Sequence, residues 1–218
     1  MKKITYKCSN LFTLKHYNDS NLNCQSYEYP TIYSIRSAII GSIIQIDGLE
    51  KAKELFYKIK NAIIYIQYPS EYKVNGVRLK RFANSYYKLK EEDKTNLNKL
   101  TQNNYNTTIG FRQYYSMPQI VFYITNSIPN LDLYLRNIDW IGTAESLVYL
   151  DSIEETNKLD NIMIKWDKKI DTKTYEQHDY NSKTTFDTVY MYSDKYKHTH
   201  DTFMCCIKNI KLEEGVTN

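Results

Sequence analysis

Glycine and proline are scarce: six Gly and four Pro in 218 residues leave no composition for long flexible linkers. No apolar run approaches the roughly 18–20 residues that a membrane-spanning helix needs. The first residues, Met1-Lys2-Lys3-Ile4-Thr5, alternate polar and apolar side chains instead of leading into a signal-peptide core. Cysteine is limited to Cys8, Cys24, Cys205 and Cys206, without a C-x-x-C pair. The adjacent pair at 205 and 206 is badly placed to bridge itself. The four read as small core residues in a reducing cytosol, and the chain as soluble, free of membrane and cytoplasmic. Neither G-x-G-x-x-G nor G-x-x-x-x-G-K followed by Ser or Thr occurs, so a nucleotide-driven motor has no phosphate loop. The G-x-S-x-G elbow of an α/β hydrolase is missing as well.

What is present fits one domain or one elaborated domain, long enough to bury a real core. Hydrophobic residues make up 42% and charged residues 25%, which excludes disorder throughout. Net charge is +4 and the sequence pI about 8.6, a mild excess in which Lys far outnumbers Arg. The plainer reading of the abundant Lys, Asn, Ile and Tyr is an AT-rich coding sequence, whose codons favour those residues. The place of the charge is therefore more informative than its total.

Ile4, Tyr6 and Cys8 alternate with Lys3, Thr5 and Lys7, the period of a half-buried strand that Phe12 and Leu14 extend or follow. Residues 18–29 read as an Asn- and Ser-rich loop. Thr31 is a helix N-cap after Pro30, and Ile32, Ile35, Ile39, Ile43 and Ile46 form an apolar helical stripe. Asp47-Gly48 stops that helix, and Leu49, Ala52, Leu55, Phe56 and Ile59 line a second one. Ala62 to Ile66 is a short apolar run expected to be a buried strand. Strand, helix, helix, strand suggests the crossover unit of an α+β sandwich.

Residues 69–108 carry few large aliphatics, as functional insertions do, and Asn75-Gly76 predicts a hairpin turn within them. Ile120 to Ile124 is the strongest strand signal, Leu131 to Ile138 reads as a short helix, and Ser146 to Leu150 as a strand after a turn at Gly142. Beyond residue 158 the pattern favours strands at 162–164, 189–192 and 203–207.

The chemistry concentrates between Tyr72 and Lys90. Lys73, Arg78, Lys80, Arg81, Lys88 and Lys90 stand there with Tyr72, Phe82, Tyr86 and Tyr87, and with no Asp or Glu. Mobile cations suit phosphates and flat rings suit unstacked bases, so the mixture fits single-stranded RNA; a solvated lysine-rich loop is the plainer reading. Phe111-Arg112-Gln113-Tyr114-Tyr115 repeats the theme, and in an extended chain Arg112 and Tyr114 share a face. Those tyrosines equally suit the edge of a core. His198 and His200 would share a strand face, but no third ligand has metal-site spacing, so no metal and no cofactor is expected. Lys15-His16-Tyr17 has acid/base residue types without catalytic spacing.

Tyr29-Pro30-Thr31-Ile32-Tyr33-Ser34-Ile35-Arg36-Ser37-Ala38-Ile39-Ile40-Gly41 resembles the Pro turn and first helix of the CRISPR-associated Cas five family. Gly110-Phe111-Arg112-Gln113-Tyr114 resembles its later strand, and Trp140-Ile141-Gly142-Thr143-Ala144-Glu145-Ser146-Leu147 its Gly-containing turn. These loose motifs follow the family's order across residues 1 to 155. The resemblance implies a ferredoxin-like (RRM-like) RAMP domain over 1–157, with an inserted basic thumb at 69–108 and a β-rich portion at 158–218. It implies a subunit capping the 5′ handle of the guide RNA in a type I Cascade complex, subtype I-B among the candidates, against the backbone and large subunits. Contact with target DNA through the complex is allowed by it. Arg36, Arg78, Lys80, Arg81 and Arg112 lead the implied RNA contacts, with Lys73, Tyr86, Tyr87 and Tyr114 beside them.

The family's Tyr, Lys and His cleavage set, present in one subtype, has no secure match, and the glycine-rich C-terminal loop of the dedicated processing nuclease is absent. Both favour a non-catalytic protein. The alternatives are a metal-independent endoribonuclease that matures precursor guide RNA through His16 or His198, and a protein–protein scaffold with no RNA site.

Overall fold

The computed structural model describes residues 1–16, 19, 23–82, 107–125, 127–168, 172–197 and 199–212, with the side chains of 79–82 and 107–108 left aside. Its main sheet is antiparallel and four-stranded. β1 (Lys2–Cys8) lies in the middle between β6 (Gln119–Ile124) and β7 (Val148–Glu155), and β3 (Ile64–Ile66) adds to the outer edge of β6. Thr5 pairs with Val121 on one side and Ser152 on the other, and the register with β7 slips between Thr5 and Tyr6. Alternation decides which side chains meet the helices: Ile4 and Tyr6 from β1, with Ile120, Phe122 and Ile124 from β6, join the principal core. Val121 and Tyr123 point the other way, against Leu159 and Ile162. β6 is thus covered on both faces, which explains its unbroken apolar run.

Helices α1 (Ile32–Asp47) and α2 (Leu49–Asn61) close the first face. The Thr31 side chain accepts a hydrogen bond from the Ser34 N–H, satisfying one of the free amides of the first turn. Ile35, Ile39 and Ile43 are buried as the stripe requires, whereas Ile46 comes out to solvent at the last turn. Gly48, at φ +85°, makes the sharp change of direction into α2, a backbone region that a side chain would strain. Ala52, Leu55, Phe56 and Ile59 are buried from α2. A short α3 (Leu131–Arg136) follows β6, and the Tyr134 hydroxyl donates to Asp47 at the end of α1.

The remaining strands form two small sheets. β8 (Lys158–Lys165), β10 (His200–Lys211) and β9 (Tyr175–Tyr180) run antiparallel in that order. Met163, Tyr180, Phe186 and Cys205 from this region share the principal core with α1 and α2. Residues 189–192, expected as a strand, instead close α4 (Phe186–Val189) and a turn. The Thr185–Thr188 capping box starts a helical turn there, and Met191 and Tyr192 are 66% and 76% exposed, so no face is buried to hold a strand. The third sheet joins β2 (Asn23–Cys24), β5 (Thr107–Ser116) and β4 (Lys73–Phe82).

Burial lifts the thiol of Cys8 to about 11 and that of Cys205 to about 12, and all four cysteines are unbridged. No helix among the described residues is long and apolar enough to cross a membrane.

Candidate nucleic-acid interface

β4 and β5 form the antiparallel ribbon of the third sheet, in which Lys73 faces Ser116 and Phe82 faces Thr107, and β2 pairs with the other edge of β5 at Phe111 and Arg112. The hairpin expected at Asn75-Gly76 is not there: both residues sit inside β4, opposite Tyr114 and Gln113. Gly76 serves a close approach instead of a turn. The Cε2–Cζ edge of the Phe111 ring abuts it, and a Cβ on Gly76 would come within 2.7 Å of that edge. The turn-forming dipeptide and the strand position crowded by a ring edge make the same demand for glycine, so sequence alone could not separate them.

Opposed residues share a face, so the register sorts the ribbon's side chains. One face carries Lys73, Asn75, Val77, Arg112 and Tyr114; the other carries Val74, Arg78, Phe111 and Ile109. Lys73 and Arg78 are both exposed. Lys80 and Arg81 continue β4 along opposite faces by register, their side chains lying outside the described residues. Tyr86, Tyr87, Lys88 and Lys90 lie outside the described residues altogether.

Arg112 and Tyr114 do share a face, and a carboxylate already occupies it. Glu145 accepts from Nη1 of Arg112 through both oxygens, at 3.0 and 2.8 Å, and from the Tyr114 hydroxyl at 3.4 Å. Both partners are partly exposed, so the pair is worth little and is easily exchanged for another anion.

Arg36 is a correction. It is 4% exposed, and its guanidinium donates to both carboxylate oxygens of Asp179, at 2.6 and 3.0 Å, and to the Ile59 carbonyl. A polar residue on the buried side of α1 pins that helix to β9 and to the end of α2, and presents no donor to RNA. The sequence placed a cation beside a helical stripe; only the tertiary structure brings Asp179 to it from 143 residues away.

A second group of chemical side chains converges from positions that share no recognisable spacing. His16 stacks on Tyr27 with ring centres 3.8 Å apart, and the Tyr27 hydroxyl meets the Glu176 carboxylate and Nε2 of His178, the latter at 2.6 Å. Nδ1 of His178 meets the Thr202 hydroxyl at 2.9 Å, and His200 packs edge-on against the same ring. Lys15, Tyr33, His178 and His200 border a cleft of about 160 Å³ beside this group. Burial lowers the His178 pKa, and Glu176 only partly opposes it. His198, expected to share a face with His200, lies outside the described residues. No set of three or more His, Cys, Asp or Glu able to hold a metal is found among the described residues.

Comparison with known proteins gives three findings. No family model matches the chain. It is similar to the CRISPR-associated protein Cas5 of Archaeoglobus fulgidus, 23% identical over 159 residues, which is 72% of this chain. The chain spans 65% of the length of that relative. A solved structure, a CRISPR protein from Archaeoglobus fulgidus, aligns with all of this chain and 87% of its own at 11% identity, with a TM-score of 0.48.

Proposed function

We propose that this chain is a Cas5-like, non-catalytic RNA-binding subunit of a CRISPR ribonucleoprotein, holding the 5′ handle of the guide RNA within a type I Cascade complex. The observation that carries the reading is the β4–β5 ribbon. It keeps Lys73 and Arg78 in solvent, carries Lys80 and Arg81 further along β4, and is followed in sequence by Lys88 and Lys90. Cations spaced along extended backbone match phosphates at nucleotide spacing, and interleaved rings supply stacking surfaces. The strand order β3-β6-β1-β7, with helices crossing on one face, supports a ferredoxin-like RAMP domain, and the ribbon supports a thumb at 69–108. The complex's backbone and large subunits would be the protein partners, in the cytoplasm. Arg112 and Tyr114 join the RNA path on this reading by exchanging Glu145 for a phosphate.

The rival reading is a metal-independent endoribonuclease, favoured by the meeting of His16, His178, His200 and Lys15. Against it, both ring nitrogens of His178 are held by protein groups, which suits an anchor better than a proton shuttle. Incubating the purified chain with its cognate repeat RNA and following both mobility and length separates the two. A shifted, intact RNA is expected; shortened RNA would replace the binding reading with the nuclease, and an unshifted RNA would leave a scaffold.

A further inference from the structure

The two faces of the β4–β5 ribbon are not equivalent. On the first, Glu145 covers Arg112 and Tyr114. On the second, Arg78 stands directly across from Phe111, and no acidic side chain among the described residues pairs with it. Phe111 is 36% exposed although the Cε2–Cζ edge of its ring abuts Gly76. An aromatic ring fixed along one edge and more than a third exposed keeps ring surface open to solvent and loses little freedom when something stacks there. Ile109, next along this face, is 71% exposed and would be the apolar neighbour of a stacked base.

We propose that Gly76, Phe111 and Arg78 form a nucleobase-stacking site, in which the exposed surface of the Phe111 ring takes one unpaired base and Arg78 takes its phosphate. This rests on the reading that the chain binds single-stranded RNA, and adds which face of the ribbon the bases meet. Gly76 positions the ring: any side chain there displaces it. Stacking accepts any base, so the site fixes the path of the strand and not its sequence. An aromatic side chain covering a strand glycine also has a purely structural use, filling the gap left by the missing side chain. That use needs only apolar area, which leucine supplies, whereas stacking needs a π face.

The test uses the full chain and a repeat-derived single-stranded RNA carrying 2-aminopurine at successive positions. For the wild type, binding should quench the probe at one position, and Phe111→Trp should keep both quench and affinity. Phe111→Leu should bind about 5- to 150-fold more weakly, lose the quench and leave the salt dependence unchanged. To separate lost stacking from a loosened ribbon in Phe111→Leu, the wild type is also photocrosslinked to 5-iodouracil RNA and the attached peptide mapped. A crosslink at Phe111 supports the site; crosslinks confined to Tyr114 overturn it, as does a Phe111→Leu chain that binds and quenches like wild type. A wild type that binds no RNA overturns the RNA reading itself, and is told apart by the absence of any shift.

Discussion

Asp179 and the Ile59 carbonyl hold all the donor directions of Arg36 that the structure records, while Arg78 faces water on a strand. One guanidinium is therefore committed to folding and the other is available. Removing one partner of a buried pair strands the other charge, so Arg36→Ala should cost about 3–5 kcal/mol of stability, read from the denaturant midpoint. RNA affinity per folded molecule should not change; a loss of affinity at unaltered stability would return Arg36 to the interface. His178 makes a second residue-scale prediction. Its folded pKa lies below its usual 6.5 because burial disfavours the imidazolium, despite Glu176. The unfolded chain therefore takes up a proton first, and this contribution is complete above about pH 6.5 and is lost as pH falls below that value. His16, His200 and Lys15 border the same group and add repulsion when the imidazoles are charged. Midpoints measured from neutral pH down to about pH 5 should fall more steeply in wild type than in His178→Gln. Parallel curves would show that His178 does not carry the acid sensitivity.

At the scale of elements, helix α1 was legible because three signals agree: the Thr31 cap, the isoleucine spacing and Gly48. Ile39 is fully buried, so Ile39→Ala should cost about 2–5 kcal/mol in a denaturation experiment. An unmoved midpoint would contradict the packing of α1 on the main sheet. β6 was legible for a related reason, both of its faces being covered. Where single signals compete, the sequence misled. Asn75-Gly76 has turn chemistry, but the glycine is needed beside the ring edge of Phe111. Val189 to Tyr192 has strand composition, but the Thr185 cap nucleates a helical turn and nothing buries the strand. The candidate site divides in the same way. Exposed, local features such as Lys73, Arg78 and the shared face of Arg112 and Tyr114 could be read from spacing. Arg36 with Asp179, Glu145 on Arg112, and Tyr27 with His178 are long-range pairs that no local pattern encodes.

For the whole molecule, the principal core joins the main sheet, both long helices and residues of the C-terminal sheet, and takes Tyr115 from β5, while Lys73 to Arg78 on the β4 strand of the β4–β5 ribbon are all exposed. Binding through that ribbon should weaken without unfolding anything, because exposed cations contribute little to the core. Arg78→Ala combined with Arg81→Ala should therefore lower affinity for repeat RNA by about 1–3 kcal/mol, the scale of lost charge-assisted hydrogen bonds, at an unchanged melting midpoint. The most direct measurement is a titration of labelled repeat RNA at several salt concentrations, with wild type and this double variant side by side. If most of the six cations between Tyr72 and Lys90 meet phosphates, wild-type affinity falls with salt at a log–log slope of roughly −3 to −4, and the double variant is both weaker and less steep. A flat salt response, or a double variant that binds as wild type does, would contradict RNA binding through this ribbon.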